Sequence, residues 1–510
     1  MRQGGPTMRV DVRLASQLTA DALNALGGER LRDFLMQRRW FGAKGRTPSR
    51  VHVAELIPID AEPLHAALAR FDVELESTVE RYQVPLVVRI EGDHATLIDA
   101  TEDASFRDWL GRALASGARV DAPRGDRTRQ ASWIVELIGG TAGASAPSRV
   151  SSAEQSNTSI IYGDAAIFKL FRRLEPGLNP DVEIGRFLTT RTSFRHTPAL
   201  LGVAHYESAD GWSAVAGMLQ QYLPGSADAW SYALDRGRRY FQAPPRQQPP
   251  NEFAADAERL GRITRQLHEA LASRDDEAEF APQAATPDDV RQWSERTRRT
   301  IRDALALLRE RADARALAPP RLAEAMVILR RGDEYLGDVD GIATELATEP
   351  DAGQRIRHHG DYHLGQLLRT ADGDFMVIDF EGEPSRPLTE RRERHSALRD
   401  VAGMLRSLAY AAATLATEIT GSLDKATVET RSARWERESR DAFLKGYLQT
   451  NDGPVHFLPR SPRLIDRLLS LFEMEKVFYE LAYELNNRPD WVWIPMRGIA
   501  RLTTAPRARR

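Results

Sequence analysis

The stretch HHGDYHLGQLL, residues 358–368, places several polar groups that could carry chemistry directly before an apolar pair. A glycine before Asp361 and the apolar residues after Gln366 predict a tight loop that leads into a strand. Reactive side chains are often found on such loops when rigid elements hold the loop in place. Asp361 is therefore our candidate for a catalytic base, and the alternative at this point is an ordinary surface turn.

Two side chains with oxygen ligands follow Asp361 along the chain. Gln366 comes five residues later, and Asp379 ends the apolar stretch FMVID. Amide and carboxylate oxygens are the ligands that Mg²⁺ prefers in proteins. We therefore expect Gln366 and Asp379 to hold one metal ion, with a cap or turn role for Asp379 as the structural alternative.

A lysine and an acidic residue lie upstream of Asp361, in the strand-then-helix order of the kinase arrangement. Lys169 is one of only five lysines in the chain and lies in the strand-like stretch AAIFKLF, and Glu183 follows fourteen residues later in a predicted helix that begins near Asn179 or Asp181. Transfer from ATP needs a cation on the phosphates, a partner that orients it, metal ligands and a residue that positions the acceptor hydroxyl. Each residue alone could be a surface charge, but their order predicts an ATP-dependent kinase.

The elements that position these residues change in character along the chain. Residues 21–46 predict a helix, and residues 51–59, 81–90 and 94–100 predict strands, which together make a small α+β unit. Further strands are predicted at residues 132–140 and 165–174, and long amphipathic helices dominate from about residue 250. We predict three domains: residues 1–105 as an N-terminal cap, residues 106–222 as a β-rich lobe with a hinge, and residues 223–510 as a helical lobe.

Composition excludes several classes of protein. A chain of 510 residues is too long for one hydrophobic core, and its formal net charge of −3 argues against a dedicated partner of nucleic acid or of an anionic membrane. The absence of cysteine excludes disulfides and thiolate metal sites. Because no signal-peptide pattern and no apolar stretch of about 18 residues occurs, we expect a cytoplasmic protein.

The order of Lys169, Glu183, HHGDYHLGQLL and VIDFEGEP resembles the aminoglycoside phosphotransferase and choline kinase branch of the protein-kinase-like fold. Within this branch, EQSNTSIIYGDAAIFKLFRRLEPGLNPDVEIGRFL and YELNNRPDWVWIP resemble maltokinases, including the version fused to trehalose synthase. QRRWFGAKGR is similar to the start of the N-terminal cap of that family. The resemblance covers about residues 31–496, and it implies an α+β, bilobal kinase-like fold with an N-terminal α+β cap.

The resemblance also implies roles for individual residues. Asp361 would be the catalytic base, Gln366 and Asp379 the Mg²⁺ ligands, and Lys169 the cation on the ATP phosphates with Glu183 as its partner. The remaining nucleotide contacts would come from a serine-rich loop over the phosphates and from the hinge MLQQYL, namely Ser156, Asn157, Thr158, Gln221, Tyr222 and Leu223. The chain departs from the general kinase pattern in having Phe380 and Glu381 after the metal aspartate and no glycine-rich phosphate loop.

Four residues in or near the predicted catalytic loop have structural interpretations. Kinase chemistry needs no imidazole, so we interpret His359 and His363 as residues that hold or pack against the loop. Arg399 and Asp400, in HSALRDVAGM, are interpreted as residues that tie this lobe together. None of these four is expected to act on the substrate directly.

The segment LFEMEKVFYELAYELNNRPDWVWIP is the candidate acceptor site. Its polar and aromatic residues recur at helical spacing and continue past a proline stop, and those predicted to contact sugar are Glu473, Lys476, Tyr479, Tyr483, Asn487 and Trp491. Aromatic faces and carboxylates suit a sugar, whereas aromatic residues at this spacing also form ordinary cores.

The resemblance to maltokinases implies maltose as the acceptor and maltose 1-phosphate as the product, with trehalose synthase as an expected partner. Two alternatives stay open. One is a kinase of the same fold that acts on glucosamine or another amino sugar. The other is a non-catalytic partner of trehalose synthase.

Overall fold

A computed structural model describes residues 7–16, 18–61, 64–124, 129–139, 144, 146–151, 156–242, 244, 249–349, 351–383, 386–418, 424–449 and 455–504. The chain divides into two compact units, Met1–Gly225 and Ser226–Arg510. The predicted subdivision of the first unit into a cap and a β-rich lobe stays a prediction. Among the described residues, no helix is both long and apolar enough to span a membrane.

The first unit is mainly antiparallel β-structure. Its elements are β1 Met8–Val10, α1 Arg13–Ser16, α2 Ala20–Asn24, α3 Gly28–Met36, β2 Arg50–Ala61, β3 Leu64–Glu74, β4 Val79–Glu91, β5 His94–Asp99, α4 Ala104–Ser116, β6 Arg119–Asp121, β7 Ser132–Leu137, β8 Ser148–Val150, β9 Thr158–Tyr162, β10 Ala166–Leu170, α5 Pro180–Arg191, β11 Leu200–Glu207 and β12 Ser213–Gln221, with 3-10 turns at Gly42–Gly45 and Ala100–Glu102. One sheet has the order β1-β5-β4-β3-β2, and the other has the order β6-β7-β11-β12-β10-β9-β8.

The N-terminal helix predicted over residues 21–46 is wrong. The structure has two short helices, α2 and α3, separated at Gly27, whose φ of 94° does not fit a right-handed helix. Asn24 ends the first helix by exchanging side-chain hydrogen bonds with the backbone of Val53, at 2.9 and 2.8 Å. A contact with a distant strand therefore interrupts a segment whose local pattern is helical throughout.

Strand β3 was not predicted, because its sequence LHAALARFDVE is rich in alanine, which has low strand propensity. It nevertheless pairs along its length with β2 and also pairs with β4. Burial of its alanines between the neighbouring strands β2 and β4 outweighs the low strand propensity of alanine, as often happens in central strands.

A single apolar core connects the two sheets of the first unit. Phe106 and Leu110 of α4 pack in the same buried cluster as Leu68 of β3, Trp133 of β7 and Phe168 of β10. The N-terminal sheet is thus built into the unit rather than attached by a linker. Removing it would expose the apolar side chains of the second sheet to water.

A buried ion pair also joins the two sheets. The Arg172 guanidinium, 1% exposed, lies 2.8 Å from the Asp99 carboxylate at the end of β5. Its Nε donates to Thr158 Oγ1 at 2.8 Å, and the guanidinium lies over the Trp40 ring at 4.5 Å from the centroid. Arg172 therefore connects the first residue of β9 to two residues of the N-terminal α+β region.

The second unit is mainly helical. Its elements are β13 Ala227–Asp228, α6 Ala229–Gln242, α7 Ala254–Leu271, β14 Gln283–Ala284, α8 Pro287–Asp313, α9 Pro319–Arg330, α10 Gly332–Thr348, β15 Gln354–Ile356, β16 Leu367–Arg369, β17 Phe375–Val377, α11 Leu388–Arg391, β18 His395–Ser396, α12 Leu398–Glu418, α13 Lys425–Leu448, α14 Pro462–Asn487 and α15 Trp493–Thr504, with 3-10 turns at Leu364–Gln366 and Pro489–Trp491. Two small sheets, β13-β16-β17 and β14-β15-β18, carry the polar loops.

His395 is buried and His358 is half-buried where α8, α14 and β18 meet. His395 stacks on Trp293 with ring centroids 4.8 Å apart and contacts Phe472, while His358 lies 5.7 Å from His395. Burial lowers the pKa of His358 to about 4, although the Asp400 carboxylate acts in the opposite direction. Burial, reinforced by the positive charge of Arg399, also holds the pKa of His395 well below its ordinary value.

Replacing Arg172 with alanine is expected to lower the free energy of unfolding by about 3–5 kcal/mol, because Asp99 would be left buried without its partner. Arg173→Ala is the matched control, since Arg173 is 53% exposed and its nearest carboxylates lie 3.8 Å away. That change should alter stability by less than about 1 kcal/mol. Urea unfolding of both variants makes the comparison, and equal losses would contradict a structural role for the buried pair.

The protein is expected to lose stability as the pH falls from about 6.5 towards 4. In this interval an unfolded His358 binds a proton, whereas the folded residue, with a pKa of about 4, does not. The unfolded state then binds more protons, so stability falls with falling pH. Urea unfolding between pH 7.5 and 4.5 tests this: the slope for His358→Gln should be shallower by at most about 1.4 kcal/mol per pH unit. Identical slopes for variant and wild type would contradict it.

Candidate active site

A buried carboxylate holds the loop that carries Asp361. The loop runs between β15 and β16, and Asp400, at the start of α12, accepts hydrogen bonds from the backbone N–H groups of His359 at 2.7 Å and Gly360 at 2.9 Å. The imidazole of His268 lies 3.1 Å from the same carboxylate. Asp400 is only 2% exposed, so these bonds replace its lost hydration. This confirms the structural interpretation of Asp400.

His359 fixes the loop from the other side. Its Nε2 lies 3.0 Å from the carbonyl oxygen of Ile378, which requires a proton on Nε2, so Nδ1 is the acceptor for the backbone N–H of Asp361 at 3.4 Å. The ring also packs against Phe380 at 5.0 Å. The backbone of Asp361 is therefore positioned by a buried imidazole, as the sequence interpretation expected.

One hairpin carries both candidate metal ligands. Strands β16 and β17 pair Leu367 with Val377, and the N–H of Ile378 donates to the carbonyl of Gln366 at 3.0 Å. Asp379 follows with a φ of 66°, a conformation that non-glycine residues adopt rarely and that is often found at functional sites. An amide oxygen and a carboxylate on one hairpin make a donor set that fits Mg²⁺.

A cavity of about 250 Å³ lies beside Asp361 in the second unit. Its walls come from the catalytic loop, the segment after Asp379 and helices α8, α12 and α14. The lining residues are Arg296, Thr300, Gly360, Asp361, Tyr362, Glu383, Arg386, Glu390, Arg399, Asp400, Gly403, Phe472, Glu475, Lys476 and Tyr479. The cavity thus combines carboxylates, basic groups and three aromatic side chains next to the candidate base.

The charged groups of this cavity are paired with one another. Lys476 Nζ lies 2.9 Å from the Glu383 carboxylate and 3.4 Å from Asp361 Oδ1. Glu383 also lies 2.6 Å from Arg386, and Glu475 lies 3.1 Å from Arg399. Each of these contacts joins opposite charges, so the wall of the cavity is close to electrically balanced.

This pairing controls the protonation of the two most buried groups. Burial acts to raise the pKa of Glu383, but the charges of Lys476, Arg399 and Arg386 outweigh it and hold that pKa well below its ordinary value. Burial acts to lower the pKa of Lys476, whereas the carboxylates of Glu383 and Asp361 raise it above its ordinary value. Both groups are therefore charged at neutral pH.

Two of the six residues predicted to contact sugar, Lys476 and Tyr479, line this cavity. Glu473 instead pairs with Arg440 at 2.6 Å, and the Asn487 side chain donates to the carbonyl of Tyr483 at 2.8 Å. The six sugar contacts stay a prediction, and only part of the predicted helix face lines the cavity. The face that meets the cavity carries Phe472, Glu475, Lys476 and Tyr479.

An aromatic row leads away from the cavity along the end of α14. Tyr483 stacks on Tyr479 with ring centroids 6.5 Å apart, and its side chain is 45% exposed. The Arg488 guanidinium then lies 5.5 Å from the ring centroids of both Tyr483 and Trp491. Three of the predicted aromatic residues thus form a continuous surface that begins at the cavity wall.

Several residues of the cavity were missed in the sequence. Glu383 stands four residues after Asp379 in the quoted motif VIDFEGEP. Its closeness in sequence to this candidate metal ligand could have identified it as a residue of the site. Arg399 was interpreted as purely structural, but it also lines the cavity. No local signal marked Arg296 or Glu475, because both lie within amphipathic helices that carry many charges.

The candidate nucleotide residues of the first unit lie on adjacent strands. Lys169 of β10 pairs with Ser159 of β9, directly after Ser156, Asn157 and Thr158, and Ala166 of β10 pairs with Gln221 of β12. The hinge continues with Tyr222, whose N–H donates to the Ala165 carbonyl at 2.9 Å, and with the half-buried Leu223. Thr158 and Lys169 therefore lie at the Leu170 end of β10, whereas Gln221 and Tyr222 lie at its Ala166 end.

Lys169 has an acidic neighbour that the sequence analysis did not assign to it. Its Nζ lies 3.5 Å from Asp181 Oδ2, in the first turn of α5, which Asn179 caps by accepting from the Asp181 N–H at 2.8 Å. Asp181 had been considered only as a possible helix start. The partnership of Lys169 with Glu183, which is buried two residues further along α5, stays a prediction.

Comparison with known proteins relates both units to kinases. The family of maltokinase N-terminal cap domains matches residues 34–110. Glucosamine kinase from Streptacidiphilus jiangxiensis is 29% identical over 425 residues, which cover 79% of this chain and 87% of that protein. Glucosamine kinase from Mycolicibacterium smegmatis is 27% identical over 347 residues, covering 67% and 76% of the two chains.

Solved structures give the same relation. A glucosamine kinase in complex with glucosamine, ADP and inorganic phosphate superposes with a TM-score of 0.62 at 25% identity, covering 89% of this chain and 94% of the other. A second glucosamine kinase structure reaches a TM-score of 0.66 at 23% identity, covering 95% and 99%. The predicted α+β kinase-like fold with an N-terminal cap is confirmed. The chain is a kinase-fold protein with a maltokinase-type N-terminal cap, similar over most of its length to sugar kinases.

Proposed function

We propose that this protein is an ATP-dependent sugar kinase that phosphorylates the anomeric hydroxyl of maltose to give maltose 1-phosphate. The observation that carries the proposal is the cavity at Asp361, whose charged walls are already balanced by pairing within the chain. Such a site offers both hydrogen-bond donors and acceptors to a neutral polyol. The kinase relatives and the matching cap domain support the same reaction class.

Asp361 is the proposed catalytic base. Its carboxylate faces the cavity, and its backbone is fixed by His359 and by the glycine before it, which Asp400 binds. In an in-line transfer it would orient the sugar hydroxyl and take its proton as the new P–O bond forms, while the bond from the γ-phosphorus to the β,γ-bridging oxygen of ATP breaks and ADP leaves. Positioning is the main contribution a protein makes to phosphoryl transfer, so a rigidly held loop suits this role.

The nucleotide is proposed to bind to residues of the first unit. Lys169 would bind the phosphates, Ser156, Asn157 and Thr158 would cover them, and Gln221, Tyr222 and Leu223 would contact the adenine. Gln366 and Asp379 are the proposed ligands of Mg²⁺, which when bound would neutralise negative charge on the phosphates. Their chemistry fits this ion, and Glu381 follows Asp379 in the same segment.

A disaccharide fits the aromatic row better than a single sugar ring does. The reacting ring would lie in the cavity against Tyr479, and the second ring would rest on the exposed face of Tyr483. Stacked rings of this kind contribute roughly 0.5–1.5 kcal/mol beyond their buried area. The row continues through Arg488 to Trp491, outside the cavity wall.

A second candidate is an amino sugar such as glucosamine. It is favoured by the names of the relatives, which act on glucosamine, and by a solved complex that contains this sugar. A non-catalytic partner of trehalose synthase is a third reading, but such a protein has no need to keep Lys169, Asp361 and Asp379 together. An interaction with trehalose synthase is compatible with either kinase.

The decisive experiment is ADP release with saturating Mg-ATP across maltose, glucose and glucosamine. We expect the highest kcat/KM with maltose. A large preference for glucosamine would replace the proposed acceptor while keeping the sugar-kinase assignment. An absence of ADP release with every sugar would reject the kinase itself.

Asp361→Asn is expected to lower kcat by about 10²–10⁴, the usual contribution of a positioned acid or base, without changing the melting temperature or ATP affinity. Asp372→Asn is the matched control, because Asp372 lies exposed in the turn between β16 and β17. Steady-state kinetics and nucleotide titration test both variants. Near wild-type turnover by Asp361→Asn would remove this residue from the role of base.

Tyr483→Ala is expected to raise KM for maltose by roughly tenfold or less and to leave KM for glucose unchanged, because only the second ring would use this side chain. Tyr483 is largely solvent-exposed, so folding should not change. Trp491→Ala, at the far end of the row, should also raise KM for maltose, but by a smaller factor than Tyr483→Ala. Equal changes in KM for maltose and glucose would contradict a second-ring site.

A further inference from the structure

We propose that Lys476 determines which sugars the cavity accepts: its fixed ammonium group favours a neutral hydroxyl beside Asp361 and excludes the ammonium group of an amino sugar. This inference rests on the proposed sugar-kinase function and specifies its substrate class. It assigns to Lys476 a role in discrimination, beyond contact with the sugar.

The ammonium of Lys476 is held in one place by three groups. It lies 2.9 Å from Glu383 and 3.4 Å from Asp361, and it lies 5.1 Å from the ring centroid of Tyr479, one turn further along α14. The neighbouring Val477 and Phe478 are buried, so the helix that carries the lysine is anchored in the core. Its side chain is 24% exposed, which places the positive charge at the cavity surface.

A neutral sugar hydroxyl fits between these groups. It can accept a hydrogen bond from the Lys476 ammonium and donate one to the Asp361 carboxylate, which satisfies both. Orientation of the reacting oxygen towards Asp361 then follows from the same two bonds. The lysine therefore assists the geometry required of the acceptor without removing a proton itself.

An ammonium group on the sugar is disfavoured at the position that suits a neutral hydroxyl. The carboxylates that could receive it already have cations of the chain: Glu383 has Lys476 and Arg386, and Glu475 has Arg399. A second cation would be placed near a fixed one in a partly desolvated site, where like charges repel strongly. Discrimination by a built-in repulsion is a common way to reject a close analogue.

A purely structural role for Lys476 predicts something different. Glu383 has two arginine neighbours, Arg386 at 2.6 Å and Arg399 at 3.8 Å, so its charge stays compensated without the lysine. If Lys476 only stabilised Glu383, its removal would change stability and would weaken all sugars alike. Only the proposed role changes the relative affinity of charged and neutral sugars.

Glucose and glucosamine form the matched pair for the test, because they differ in one hydroxyl that is replaced by an amine. Calorimetry at neutral pH measures their affinities for the full-length protein, and kcat/KM is measured in parallel with Mg-ATP. The variants are Lys476→Met, which removes the charge at similar volume, and Lys476→Arg, which keeps it. Lys445→Met is the control, since Lys445 is an exposed lysine paired with Glu258 on the surface.

Wild-type protein is expected to bind glucose at least about tenfold more tightly than glucosamine. Lys476→Met should raise the affinity for glucosamine relative to glucose by about tenfold, whereas Lys476→Arg and Lys445→Met should keep the wild-type ratio. A wild-type preference for glucosamine, or an unchanged ratio in folded Lys476→Met, overturns the inference. Because the wild-type ratio is itself diagnostic, the test does not depend on the folding of a variant.

Failure of the proposed function gives a separate result. If no sugar in the panel supports ADP release by the wild-type protein, the kinase assignment fails, whatever the binding ratio. If ADP is released with sugars but the ratio does not depend on Lys476, only the role of the lysine is rejected.

Discussion

The buried carboxylate of Asp400 is the interaction on which the candidate catalytic loop depends. Burial acts to raise its pKa, whereas the hydrogen bond from His268 lowers it, and the pKa lies well below its ordinary value. The ionised group binds two consecutive backbone N–H groups of the catalytic loop, at His359 and Gly360. A loop that would otherwise be mobile is thereby fixed to a helix whose side chains are almost all buried.

The cavity contains several carboxylates that, like Asp400, are partly removed from water and need compensating partners. A carboxylate removed from water is strongly destabilised unless charges or hydrogen bonds replace its hydration. Glu383 and Glu475 can therefore lie beside Asp361 only because Lys476, Arg386 and Arg399 lie between them. The balance of charge that stabilises the wall also decides what the wall can bind, and it favours an uncharged, hydroxyl-rich ligand.

In the first unit, the buried Asp99 carboxylate is likewise compensated by a cation, the Arg172 guanidinium. Their buried contact, with the Thr158 hydroxyl, joins the N-terminal sheet to the strand that follows the serine-rich segment. The apolar cluster that contains side chains from both sheets reinforces this connection. Residues proposed to bind the nucleotide are consequently supported by an element outside the general kinase pattern.

The sequence by itself determined the fold class and the order of the reactive residues. Motifs such as HHGDYHLGQLL and VIDFEGEP are local, and a loop followed by a short strand can be read from glycine and apolar spacing. The long helices α7 and α8 were also readable, because their amphipathic periodicity extends over many turns. Strand β3 could not be predicted from the sequence, because pairing with β2 and β4 makes it a strand, whereas its own composition does not favour one.

Tertiary structure alone decided which charges meet. The pairing of Lys476 with Glu383 joins residues that are 93 positions apart, and the contact of Arg172 with Asp99 spans a similar gap of 73 positions. Helical spacing did not identify Phe472 and Glu475 as residues of the cavity wall, because the orientation of α14 about its axis is set by packing against α8 and α12. Sequence periodicity identifies a helix face, but only the neighbours that bury the opposite face determine where it points.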